Sequence, residues 1–146
     1  MPTELAYVPP VRQGPRAYRR RVRRFGPAMG LAPAAVMGGL AWLALYDNAS
    51  AVRGLLGFVL AILAAPCLLL AGVPLTTGAS MYAVAFVASA VIWVALGSLA
   101  AKRATRRPVA MWGDFWREFL WLAAGVWVGV LVSLAAIDLL LGGVFL

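Results

Sequence analysis

The sequence contains no histidine, a single cysteine and only five acidic residues among 146. Without histidine, the usual general base near neutral pH and the commonest imidazole ligand for metals and haem are both missing. One cysteine, Cys67, cannot close an intrachain disulfide. There is no GxGxxG before a strand, no Walker loop, no CxxC and no pair of carboxylates placed for acid–base work. Charge is scarce overall, at 12% of residues, where a soluble domain carries about a quarter. These absences predict a chain with no catalytic residues, no cofactor and no metal site.

Apolar residues fill the space, at 64% of the chain with a mean hydropathy of +0.90. Crossing about 30 Å of hydrocarbon takes roughly 20 mainly apolar residues in a helix. Runs of that kind lie at about 27–46, 54–73, 80–101 and 115–141. The expected fold is an all-α integral membrane protein, a small bundle of four transmembrane helices, or three. Pro33 weakens the first run, and Pro66 predicts a kink in the second wherever neighbours satisfy the freed carbonyl. Cys67, beside that proline, reads as a small core residue.

Residues 1–26 form a proline- and arginine-rich arm with few apolar residues, expected to be disordered, ahead of a membrane domain over 27–146. Arg16, Arg19, Arg20, Arg21, Arg23 and Arg24 precede the first apolar run directly, as arginines at lipid phosphates do. They predict contact with anionic phospholipids or an acidic surface, and not with nucleic acid. The location implied is the cell (inner) membrane, multi-pass, with the amino terminus cytoplasmic.

The rules of topology pull apart. Four spans leave the arginines from Arg12 to Arg24 inside but put Arg53, Lys102, Arg103, Arg106, Arg107 and Arg117 outside, which is hardly a bias. If the first apolar segment lay in the interface or re-entered, all the basic residues would face the cytoplasm. Near-balance also allows dual topology. Length favours four spans, because the stretch from Pro27 to Tyr46 is uncharged.

Small residues recur at four-residue spacing in the first segment, at Gly30, Ala34 and Gly38, and in the last, at Gly125 and Gly129. Such stripes let helix backbones approach closely, within the bundle or against a partner. Trp112, Trp116 and Trp121, with Phe115 and Phe119, mark the start of the last helix and predict an interfacial aromatic belt. Arg117 can pair with Asp114 and stack on Trp121. Asp138 is an acid well inside the last span, and with four spans it would come to the face that holds Arg24, predicting an ion pair between the chain's two ends.

A bundle with packing grooves, a basic band and no chemistry of its own predicts a non-catalytic accessory or structural subunit. Its partner would be a larger integral membrane complex, with a bacterial respiratory or other energy-transducing assembly as the leading class. The alternative is a small homo-oligomeric transporter or channel.

Overall fold

In the computed structural model, which describes residues 15–72, 78–106 and 111–140, every regular element is an α-helix. The elements are α1 (Pro15–Met29), α2 (Leu31–Leu45), α3 (Ala51–Ala64), α4 (Cys67–Leu70), α5 (Ala79–Ala104) and α6 (Trp112–Leu140). Residues 1–14, 73–77, 107–110 and 141–146 lie outside the described residues. Three helices are long and apolar enough to cross a membrane: Tyr18–Leu45, Ala79–Ala104 and Trp112–Leu140. The chain is thus an all-α membrane bundle.

The first of these unites α1 and α2. Gly30 between them keeps right-handed helical dihedrals (φ −62°, ψ −25°), and its N–H bonds to the Gly26 carbonyl at 3.0 Å. Pro27 and Pro33 each lack the N–H that would reach back four residues, so the rod is perturbed without being cut. The arginine-rich segment, expected to belong to a disordered arm, is therefore helical from Pro15. The reason is a narrow stripe: Tyr18, Val22, Gly26 and Gly30 recur every fourth residue and pack inward, while Arg20, Arg21, Arg23 and Arg24 stay exposed.

Helix α5 runs antiparallel to this rod. Arg19 meets Thr105 near one end, Gly26 meets Ala101 and Gly97, and Gly30 meets Gly97 and Trp93. Helix α6 returns along both, with Phe115 beside Gly26 and Phe119 and Trp127 beside Trp93. The core between the three is Val22, Trp93, Ala100, Ala101, Ala104, Phe115, Phe119 and Ala123, all essentially fully buried.

The second apolar run is not a long helix. It stops at Ala64, where Pro66 cannot continue the bonding pattern, and resumes only as the short α4. The expected continuous span over 54–73 is replaced by two pieces. The weak segment is thus this one and not 27–46, since the arginine helix lengthens the first run to 28 residues.

The break is served by side chains of α5. The Trp93 indole Nε1–H donates to the Ala64 carbonyl at 2.7 Å, and the Cys67 N–H donates to Ser89 Oγ at 3.1 Å. Ser89 in turn donates to the Ala85 carbonyl at 2.7 Å. Cys67 sits in a small cluster with Ala65, Leu68 and Ala85, as a core cysteine should. Ser89→Ala leaves the Cys67 N–H without its acceptor in an apolar setting, and should lower unfolding stability by about 1–2 kcal/mol. Chemical unfolding in micelles would measure this, and a midpoint equal to that of the parent protein would show that Ser89 does not hold the break.

Candidate functional site

Two surfaces stand out once the fold is laid down: the basic end of the bundle and the outward face of α6. At the basic end Arg19 donates to the Thr105 carbonyl at 2.8 Å, tying α1 to the last turn of α5. Thr105 Oγ1 donates to the Ala101 carbonyl at 2.7 Å, and Lys102 and Arg103 occupy the same turn. Cations there complement the partial negative charge of the helix terminus. The start of α6 completes this end, where the Asp114 carboxylate accepts the Met111 N–H at 3.1 Å, half of a capping box.

Arg20, Arg21, Arg23, Arg24, Lys102, Arg103 and Arg106 are all exposed around this end. The described acids here are Asp114 and Glu118, and both lie within 4.0 Å of Arg117. The described cations at this end therefore outnumber the described carboxylates. Arg24 lies over the Phe25 ring at 5.9 Å. The Arg16 backbone continues the same helix. Chemically, the surface suits phosphate or carboxylate oxygens.

The sequence-predicted pairs fare differently. Arg117 meets Asp114 as expected, but the described ring contacts do not join it to Trp121. The Asp138–Arg24 pair is excluded. Helix α6 leaves the basic end at Phe115, which touches Gly26, and at about 1.5 Å per residue it carries Asp138 about 35 Å away. Antiparallel packing of three long helices puts Asp138 and Arg24 at opposite ends.

The aromatic residues are divided in a way that the belt reading did not anticipate. Phe115 and Phe119 are fully buried and stacked at 5.9 Å, with Trp112 and Trp116 half-buried against them, edge-on at 5.3–5.7 Å. Only Trp121 of the three tryptophans projects freely, 75% exposed. The spacing of Phe115, Phe119 and Ala123 at every fourth residue carries the signal of a buried face.

The glycine stripes also divide. A methyl added at Gly30 would lie 2.5 Å from the Trp93 carbonyl oxygen, and one at Gly97 would lie 2.5 Å from that of Gly26. Here α1 and α5 cross backbone to backbone. Ala34 packs against the same core, and Gly38 approaches Ala64. Gly26 and Gly97 were not singled out from the sequence, although each sits four residues from another small residue, Gly30 and Ala101 respectively. In contrast, a methyl at Gly125 or at Gly129 would meet nothing within 4 Å. Around those two, Trp121, Val128, Leu131 and Val132 are exposed, so among the described residues this GxxxG is not covered by the bundle, unlike Gly26 and Gly30.

Among the described residues no group of three or more His, Cys, Asp or Glu gathers to hold a metal ion. Between α2, α5 and the tip of α3 lies a cavity of about 320 Å³, lined by Ala34, Gly38, Ala65, Phe86, Ser89 and Trp93 among others, almost wholly apolar. No family model, no curated protein and no solved structure matches this chain.

Proposed function

We propose that the protein is a non-catalytic accessory subunit of a larger integral membrane complex, seated in the cell membrane with its basic end at the cytoplasmic leaflet. The observation that carries this reading is the open Gly125–Gly129 face. Lipid tails are as apolar as leucine, so helices associate in a bilayer through close packing, and small-residue stripes provide the grooves for it. The glycines of α1 and α5 are filled by each other, whereas the pair on α6 offers a groove that none of the described residues occupies.

The exposed cations of α1 and α5 hold the phosphates of anionic phospholipids at the same time, fixing the depth and tilt at which α6 presents its groove. Bacterial respiratory and related energy-transducing assemblies are the class favoured, because they recruit small helical subunits that bring no cofactor.

Replacing both Gly125 and Gly129 with leucine should abolish co-migration with the partner complex on native gels after extraction in mild detergent. Because both sites are open, the intrinsic unfolding midpoint should move by no more than the equivalent of about 0.5 kcal/mol. Undiminished co-migration of the double variant would overturn the assignment of this face.

A further inference from the structure

We infer that residues 51–72 form a re-entrant hairpin that enters the bilayer and returns to the face it left, so that the chain crosses three times. The direction of each helix requires it. Because α5 is antiparallel to the α1–α2 rod, the end of α2 at Leu45 and the start of α5 at Ala79 lie at the same end of the bundle, away from the arginines. Whatever joins them has to begin and finish there.

Contacts trace the path. Helix α3 climbs back alongside α2: Arg53 donates to the Leu43 carbonyl, Gly57 faces Ala44 and Leu45, and Ala64 reaches Gly38. At Ala64 the chain is level with Trp93, halfway along α5. After Pro66 it reverses, since Cys67 lies at Ser89 and the Cys67–Leu68 pair clusters with Ala85, nearer the start of α5. The ascending limb has 14 residues, about 21 Å of helix, short of the roughly 30 Å of hydrocarbon.

A bent backbone at this depth is tolerated only where protein covers it and satisfies its polar groups. Here both conditions hold: Ala64, Ala65, Cys67 and Leu68 are each at most 8% exposed, and Trp93 and Ser89 serve the broken ends.

Charge supports the same path. The described basic residues of α1, the end of α5 and the start of α6 all share one face, and Arg53 alone among the described cations lies on the other. That asymmetry marks the arginine face as cytoplasmic and puts the end of α6, with Asp138, on the opposite side. It removes the conflict between length and charge that four full spans create.

Accessibility from each face tests the path. In a Cys67→Ala background, single cysteines at Ala49, Ser80 and Met111, all exposed positions, are exposed to a membrane-impermeant maleimide in right-side-out and inverted vesicles. Ala49→Cys and Ser80→Cys should both react at least tenfold more in right-side-out vesicles, and Met111→Cys at least tenfold more in inverted ones. Reaction of Ala49→Cys and Ser80→Cys from opposite faces would mean a complete crossing between them and would overturn the hairpin. Equal reaction of all three from both faces would overturn the single orientation. Neither result depends on whether a partner complex is found.

Discussion

Leucine in place of Gly97 should lower unfolding stability by about 3 kcal/mol or more, the upper end of what overpacking usually costs. The first atom of the new side chain would lie 2.5 Å from the Gly26 carbonyl oxygen and 3.1 Å from both the Pro27 carbonyl oxygen and the Gly30 Cα. All three are backbone atoms of a helix, so no change of rotamer on the other side can make room. The helices would have to separate, and separation opens the core that Val22, Ala101 and Phe115 share at the same crossing. Alanine at position 97 meets the same clash with less bulk and should cost about 1–3 kcal/mol. Gly113→Ala is the matched control. None of the described residues lies within 4 Å of its added methyl, and alanine is preferred over glycine in a helix by up to about 1 kcal/mol. Tryptophan fluorescence during denaturant titration in micelles would read all three. Equal midpoints for the parent and Gly97→Leu would show that the α1–α5 crossing is not where stability resides.

The second large effect is expected at Trp93. Its ring is 1% exposed and packs 6.1 Å, centroid to centroid, from both Phe119 and Trp127, while its N–H holds the broken end of α3. Trp93→Ala removes packing and hydrogen bond together and should cost about 3–5 kcal/mol. Trp93→Phe keeps most of the ring and loses the donor, for about 1–2 kcal/mol. The difference between the two isolates the packing share. If phenylalanine were as damaging as alanine, the hydrogen bond to Ala64 would outweigh the ring, and a harmless phenylalanine would show that the Ala64 carbonyl finds another donor.

The long helices were legible because hydrocarbon thickness leaves few choices: the runs expected at 80–101 and 115–141 match α5 and α6 closely through the described residues. Pro66 announced its break as well. Its consequence did not follow from local sequence, because the chain turns back only where Trp93 and Ser89, 29 and 22 positions from their partners, receive it. Charge favoured three spans and length favoured four, and composition pointed to the proline-bearing first run as the segment that would not cross. The missing piece was the helicity of the arginines, which lengthens that run and lies in the four-residue stripe of Tyr18, Val22, Gly26 and Gly30.

The same helix explains the aromatic residues. Trp112 and Trp116 read as a membrane belt as long as nothing folds over them, and α1 supplies the Gly26 edge against which Phe115 is buried. Small-residue stripes, too, are visible in sequence, but which stripe is filled from within is a property of pairs of helices. Gly97 had no glycine partner in its own helix and proves, with Gly30, to make one of the tightest contacts, while the motif at Gly125 and Gly129 stays open among the described residues.

The clamp on α3 also sets an order of events during synthesis. Ala64 leaves the ribosome 29 residues ahead of Trp93, a delay of a few seconds at about 5–20 residues per second. Through that interval the Ala64 carbonyl and the Cys67 N–H have no partners, and a 14-residue helix is too short to be released into lipid as a span. The segment from Ala51 to Leu70 therefore waits beside water or the insertion machinery until α5 arrives to receive it. A nascent chain halted just before Ser89 emerges from the ribosome would have its first helix in the bilayer and the segment from Ala51 to Leu70 still open to proteases.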